Sequence, residues 1–367
     1  MPLSSIPALI DELRSNRMII LMDDEDRENE GDLLIAAEAV TPEVIQFFSS
    51  QACGLICMPI TEERSRQLKL PMMASNNRSQ HETNFTVSID ATEQIGPGIS
   101  AIQRAHTVAK AVRRNAKPTD IEQPGHIFPL VAKPGGVLRR AGHTEAGVDL
   151  AKMAGFQPAA LIVEIMNEDG SMARRPELEI FAEQHQLKMG TIADLIEYRT
   201  LHEQSVELSI SKKIDTDFGS FLLHVFHDLI DSSLHYVLVR GDIDKNSEPL
   251  VRVQTIDPLR DIIGTLIDNS SSGWSYRRSM EHIAKNGCGV VVLIGQPSDK
   301  KTEFAAVESF PEASLLASDA QNYRVIGTGA QILRTLGITK MRLLSEPKRF
   351  NALSGFNLEI TGFESLG

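Results

Sequence analysis

The stretch Asp23-Asp24-Glu25-Asp26-Arg27-Glu28-Asn29-Glu30-Gly31-Asp32 lies between the apolar runs Arg17-Met18-Ile19-Ile20-Leu21-Met22 and Leu33-Leu34-Ile35-Ala36. Runs this short and apolar read as buried strands, and the polar segment between them reads as a loop. Seven carboxylates crowd ten positions, an arrangement that is electrostatically unfavourable unless a cation or water screens it. A solvated acidic loop is the plain reading of such a run. Two features point further: Arg27 interrupts the run with a fork suited to phosphate or a diol, and Gly31 permits a sharp turn. Closely spaced oxygen ligands are what a hard divalent cation such as Mg²⁺ prefers.

Outward from this loop, strands and helices alternate. A helix begins near Leu9, and Thr41-Pro42 opens another over Glu43 to Gln51. Leu55-Ile56-Cys57-Met58 reads as a short strand ending at Pro59. Further helices are expected at 62–68, 100–114, 144–154, 174–185 and 191–202, with strands near 85–89, 127–131, 159–165 and 187–189. The fold class is therefore α/β (α+β), a layered αβ domain. Residues 203–206 follow a charged helix end and precede the alternating Glu207-Leu208-Ser209-Ile210-Ser211, so domains of 1–204 and 205–367 are expected. The second begins β-rich, with strands at 207–213, 219–227, 235–240 and 250–254. A helix at 275–286, the apolar run Gly289 to Ile294, a helix at 329–336 and a strand at 340–344 follow.

Two domains suit a chain of 367 residues, and 42% hydrophobic with 23% charged residues is ordinary globular composition. A net charge of −12 with dispersed basic residues excludes a broad nucleic-acid-binding face. No stretch approaches the roughly 20 apolar residues needed to span a bilayer, and no signal-peptide pattern opens the chain, so no membrane partner and a cytoplasmic location are expected. Cys53, Cys57 and Cys288 have no zinc-like spacing and read as buried thiols in a reducing compartment.

Two more segments carry chemistry: Gln123-Pro124-Gly125-His126-Ile127-Phe128-Pro129 and Arg139-Arg140-Ala141-Gly142-His143-Thr144-Glu145-Ala146. The second leads into a helix whose free N–H groups, with Arg140, Gly142 and Thr144, suit a phosphate, although plain helix capping would use the same residues. His126 reads equally as a core histidine or a functional one. His143 can complete a metal site begun by the acidic loop. Glu164 ends the apolar run Ala159 to Val163, where a carboxylate leaving the core either faces solvent or acts as a base of raised pKa.

Taken in order, DDEDRENEGD at 23–32, LPMM at 70–73, FTVSID at 85–90, PGHIFPL at 124–130, GGVLRRAGHTEAGVDL at 135–150 and MARRPEL at 172–178 make residues 5–202 resemble the 3,4-dihydroxy-2-butanone-4-phosphate synthase family. Several separated motifs in one order are far more specific than any one of them. The resemblance implies a metal-dependent lyase of riboflavin biosynthesis that converts D-ribulose 5-phosphate to L-3,4-dihydroxybutan-2-one 4-phosphate and formate. It implies Mg²⁺ or Mn²⁺, two ions per site, held by Glu28 and His143, with Arg27, Glu28 and Asp32 on the substrate. Arg140, Ala141, Gly142, His143 and Thr144 would cradle its phosphate, and Glu164 would also touch it. His126 and Glu164 match the essential acid–base positions. A homodimer with mixed sheets in its αβ domain is implied as well. Gln103 stands where the family commonly has Asp, and His81-Glu82-Thr83-Asn84 replaces the usual small residues, departures that bear on efficiency.

Residues 207–367 resemble GTP cyclohydrolase II at Pro249-Leu250-Val251-Arg252-Val253 and Gly327-Thr328-Gly329-Ala330-Gln331-Ile332-Leu333, implying a smaller α/β domain. That family carries three cysteine zinc ligands after Val-Arg-Val, whereas Gln254 to Glu281 contains no Cys. Losing the thiolates removes the zinc-activated water, so this domain is expected to bind no zinc and to serve as a retained scaffold. The nucleotide-contacting segment is shortened to Gly295-Gln296-Pro297-Ser298-Asp299-Lys300. Two other readings are a bifunctional enzyme that also hydrolyses GTP and a non-catalytic regulatory relative.

Overall fold

A computed structural model describes residues 3–24, 27–77, 83–93, 96–243, 248–264, 274–296, 307, 319–347 and 356–365. It divides the chain into two compact units, Met1–Ile196 and Glu197–Gly367.

In the first unit β1 (Ile19–Met22), β2 (Gly31–Ala36), β3 (Cys57–Ile60), β4 (Ile89–Ala91), β5 (Ile121–Val131), β6 (Ala160–Glu164) and β7 (Met189–Thr191) form one sheet. Its order is β4-β5-β3-β6-β2-β1-β7. β3 and β7 run parallel to β5 and β1, while the other pairings are antiparallel, so the sheet is mixed. Every residue of β1, β2 and β3 is buried, because helices cover both faces and water reaches neither. On one face Leu33, Ile35, Leu161 and Val163 pack with residues of α2 (Pro42–Phe47), α3 (Glu62–Leu68), α4 (Ala101–Val112) and α6 (Arg175–His185). The other face meets α1 (Ile6–Arg14) and α5 (His143–Met153). Each fully buried Leu or Ile contributes on the order of 1.5–3 kcal/mol, so the strand ends that carry polar residues are rigidly held.

Several expectations shift. The first helix starts at Ile6 rather than Leu9, since Ser5 and Pro7 supply the start signals. β3 continues through Pro59, whose missing N–H is harmless at that ladder position. The helix of 43–51 ends at Phe47 and widens into a π-turn over Phe48–Ala52. Phe85 and Thr86 form only isolated bridges, and the strand expected there lies at Ile89–Ala91. β5 begins at Ile121, six residues before the expected start. Cys53 is exposed and Cys288 half-buried, leaving Cys57 alone as a buried thiol: Cys53 caps the π-turn at φ 66°, which turns its side chain out of the core.

Helix α7 (Ile192–His202) precedes the second sheet. It holds β8 (Val206–Thr216), β9 (Gly219–Asp228), β10 (Leu234–Arg240), β11 (Leu250–Thr255), β12 (Gly289–Ile294), β13 (Lys340–Leu344) and β14 (Glu359–Glu364), in the order β14-β13-β11-β12-β10-β9-β8. β8 to β10 form an antiparallel meander, and β11 to β14 pair in parallel. α8 (Tyr276–Asn286) packs on one face and α9 (Asp319–Thr335) on the other. α9 starts ten residues before the expected 329, and β14 had no sequence expectation. No helix among the described residues is long and apolar enough to cross a membrane.

Candidate active site

The register of the first sheet places two carboxylates side by side. Asp32 of β2 pairs with Glu164 of β6, and Leu21 of β1 pairs with Asp32, so these three lie in one row on the face that α5 covers. His143, the first residue of α5, reaches that row: its Nε2 lies 3.0 Å from the Leu21 carbonyl oxygen. A carbonyl only accepts, so Nε2 carries the proton and Nδ1 keeps a lone pair. That nitrogen stands 3.8 Å from Asp32 Oδ1 and 4.0 Å from Glu28 Oε2. Burial depresses the His143 pKa, against the pull of Asp23, keeping the ring neutral as a metal ligand requires.

The acidic loop is organised around Asp23. Its carboxylate accepts the N–H of Glu28 at 3.1 Å and of Glu30 at 2.8 Å. Arg27 Nη1 bridges Asp23 Oδ2 at 2.7 Å and Glu28 Oε2 at 2.6 Å. Arg174 clamps the loop from outside, donating to the carbonyls of Glu28, at 2.7 Å, and Asn29. Glu25 and Asp26 of the same run lie outside the described residues.

These residues fit a divalent cation. Asp23, Glu28 and His143 each offer a ligand atom, all within 4.8 Å of one another, and among the described residues they are the only such group. Asp32 Oδ1 is buried without a hydrogen-bond partner. Burial first, then the carboxylates of Glu164, Glu30, Glu28 and Asp23, push the Asp32 pKa well above its ordinary value. An unmet buried acceptor costs about 1–3 kcal/mol and a charged one more, a penalty that a nearby cation offsets. Asp23 was not singled out in the sequence as a ligand, being one of seven carboxylates without distinction. Its burial separates it from the other described residues of the loop, 24 and 27–30, which are half-buried.

Glu164 Oε2 accepts the Leu55 N–H at 2.9 Å. Burial raises its pKa, and the Leu55 hydrogen bond only partly opposes that. Gly54 makes this approach possible, because a Cβ there would sit 2.6 Å from Glu164 Oε2. A backbone donor and a glycine contact leave no trace in a sequence pattern, so both went unseen.

His126 projects from β5. Asp90 of β4 holds it twice: Oδ1 accepts the His126 backbone N–H at 3.0 Å, and Oδ2 lies 2.7 Å from Nδ1. The carboxylate fixes Nδ1 as the protonated nitrogen and leaves Nε2 as the exchangeable site. Asp90 closes the quoted string FTVSID, just past the strand expected near 85–89, and nothing in the sequence joins it to His126.

Arg140, Ala141, Gly142, His143 and Thr144 form the turn into α5, with Gly142 as N-cap in extended conformation. Arg140 donates to Glu145 Oε2 at 2.6 Å and to Thr83 Oγ1 at 3.0 Å. A Cβ on Gly142 would overlap Arg140 Nη1 and lie 3.1 Å from Arg27 Nη2, so two guanidinium groups converge on the space beside this glycine. Together with the helix N-terminus they make an anion-binding corner. Gln103 has a local role: its side chain accepts the Ser100 N–H while the Ser100 hydroxyl accepts the Gln103 N–H, a capping box that starts α4. His81 and Glu82 lie outside the described residues, as do 265–273 and 297–300 of the second unit.

Residues 7–198 match the family model of 3,4-dihydroxy-2-butanone 4-phosphate synthase, and residues 207–365 match that of GTP cyclohydrolase II. A Pseudomonas aeruginosa protein named 3,4-dihydroxy-2-butanone 4-phosphate synthase is 50% identical over 364 residues, 99% of each chain. The crystal structure of RibBX, a two-domain 3,4-dihydroxy-2-butanone 4-phosphate synthase from A. baumannii, superposes with a TM-score of 0.85 at 48% identity, covering 98% of this chain and 99% of the other. A single-domain synthase solved in complex with two magnesium ions matches at 40% identity and TM-score 0.51, over 53% of this chain and 96% of its own. With the carboxylates, His143 and the arginine corner gathered at the start of α5, and His126 held apart from them on β5 by Asp90, these matches place the chain in the 3,4-dihydroxy-2-butanone 4-phosphate synthase family.

Proposed function

We propose that the first unit converts D-ribulose 5-phosphate to L-3,4-dihydroxybutan-2-one 4-phosphate and formate. The observation that carries this reading is the paired Asp32 and Glu164 with His143 reaching them beside Glu28: acids of raised pKa set against a neutral imidazole, next to an anion corner. Arg140, Arg27 and the N–H groups opening α5 would bind the phosphate. Arg27, Glu28 and Asp32 would orient the sugar hydroxyls.

Asp23, Glu28 and His143 would hold the divalent cation, Mg²⁺ or Mn²⁺. Such a cation polarises hydroxyl and carbonyl oxygens and stabilises negative charge. Glu164, whose pKa burial raises above the ordinary carboxylate value, would take the C3 proton. His126, with Asp90 holding Nδ1, would give and receive protons at Nε2 as the C1 hydroxyl leaves and C4 departs as formate. The two products together contain all the atoms of the substrate, so no oxidant or reductant is needed. The buried floor of α5 and β2 limits water where these charges gather.

The second unit would be a catalytically silent scaffold. No Cys stands between Gln254 and Glu281 to ligate zinc, and Cys288 Sγ is turned toward the Asp242 carbonyl oxygen at 3.6 Å. A cytoplasmic homodimer is the working form that the family resemblance supports. Two assays test the reading. NMR of the reaction mixture would identify the four-carbon phosphate, and loss of ribulose 5-phosphate without that product would defeat the first half. GTP hydrolysis with stoichiometric zinc would defeat the second.

A further inference from the structure

Residues 27–30 of the acidic loop form neither helix nor strand, so their peptide groups must be held one by one. Asp23 holds them from inside, its carboxylate accepting the N–H groups of Glu28 and Glu30. Arg174 holds them from outside, a single nitrogen, Nη1, donating to the carbonyl oxygens of Glu28 and Asn29. Asn29 between these contacts is left-handed at φ 55°, a conformation that costs a residue with a side chain about 1–2 kcal/mol. The Asn29–Glu30 peptide is therefore gripped at both ends, its oxygen by the guanidinium and its N–H by Asp23 Oδ1 at 2.8 Å. Hydrogen bonds in such a chain polarise one another, and a flip of this peptide would set a carbonyl against the Asp23 carboxylate.

Arg174 is itself fixed. Its backbone N–H donates to Glu177 Oε2 at 3.0 Å where α6 begins. The Ala173 N–H donates to the Ile165 carbonyl at 3.0 Å, and the Ile165 N–H donates to the Gly31 carbonyl at 3.0 Å. Leu178 of α6 closes on Gly31, where a Cβ would lie 2.4 Å from it. The segment that follows Glu164 thus returns to the acidic loop and sets the guanidinium over it.

We infer that Arg174 is a positioning residue for the divalent cation, acting through the main chain of residues 28–30 to keep the Asp23 and Glu28 carboxylates turned toward His143. This rests on the cation site formed by those three residues. A through-space effect has the opposite sign: a guanidinium repels a cation, so removing its charge alone should tighten metal binding, whereas removing a clamp on the ligands should weaken it. Arg175 supplies the control, being exposed and paired with Glu179 away from the loop carbonyls.

Mn²⁺ binding to the full chain is measured by electron paramagnetic resonance for the wild type, Arg174→Met, Arg174→Lys and Arg175→Met, and exchange of the Glu30 amide is followed in the metal-free proteins. Loss of a partner outside the ligand shell costs about 10–100-fold in metal affinity. Arg174→Met should therefore weaken Mn²⁺ binding by at least about tenfold and speed Glu30 exchange, with Arg175→Met like the wild type. Arg174→Lys, which keeps the charge and a donor without the fork, should fall between, and it decides the matter if Arg174→Met does not fold. Unchanged or tighter Mn²⁺ binding in the Arg174 variants, an equal loss in Arg175→Met, or undisturbed Glu30 exchange would overturn the inference. A wild-type chain that takes up no Mn²⁺ would defeat the cation site itself, and the role of Arg174 with it.

Discussion

Asp32 and Glu164 occupy opposed positions of the β2–β6 ladder, so two carboxylates of raised pKa share one buried row. Like charges so placed cannot both ionise cheaply without a cation beside them. If Glu164 is the base, Glu164→Gln keeps the shape and the Leu55 hydrogen bond but cannot take a proton. Formate release should fall by about 10²–10⁴-fold, with substrate affinity by calorimetry changed far less. Equal loss of both would assign Glu164 to binding alone.

The same pair links stability to pH. Asp32 and Glu164 are raised above ordinary values of 3.8 and 4.5, so folding favours their protonated forms. That contribution is complete below those values and is lost as pH rises through the raised ones. Metal-free protein in a chelator should therefore lose thermal stability from about pH 4.5 upward through this contribution. Mg²⁺ should restore it most at the upper end, where the carboxylates are ionised and bind best. A Tm profile with the same Mg²⁺ increment at every pH would contradict the link.

Asp90→Asn tests the support of His126. The amide can accept the backbone N–H but no longer fixes the Nδ1 proton, so the imidazole would change tautomer or swing. Turnover should drop by roughly 10–100-fold, and the ¹⁵N shifts of the His126 ring should lose the Nδ1–H signature. Unchanged ring shifts alongside reduced turnover would give Asp90 a different role.

Gly54→Ala places a methyl group against the Glu164 carboxylate. The strand end must shift, at a cost of about 1–3 kcal/mol in stability. Turnover should fall more than KM changes, because the displaced group is the proton acceptor and not the phosphate corner. A variant with wild-type turnover would mean that this close contact does not position Glu164.

The acidic loop, the GHT turn into α5 and the alternation of elements were legible because each is written in side chains: crowded carboxylates, a helix-start glycine, apolar runs of strand length. The partners that make the site work were not. The Leu55 donor is main chain, the Gly54 contact depends on an element 110 residues away, and Asp90 gains meaning only once β4 lies beside β5. Cys53 was expected to be buried because thiols usually are, but the π-turn ahead of it reverses its direction. β14 was overlooked because Gly362 and the charged Glu359 and Glu364 interrupt its apolar pattern.

The most direct measurement is formate release from D-ribulose 5-phosphate by the purified full chain, with Mg²⁺ and with chelator, beside Glu28→Ala. The account predicts formate only with the cation, and loss of at least 10²-fold in the variant despite an unchanged circular dichroism spectrum. Formate produced equally in chelator, or by Glu28→Ala at the wild-type rate, would contradict it.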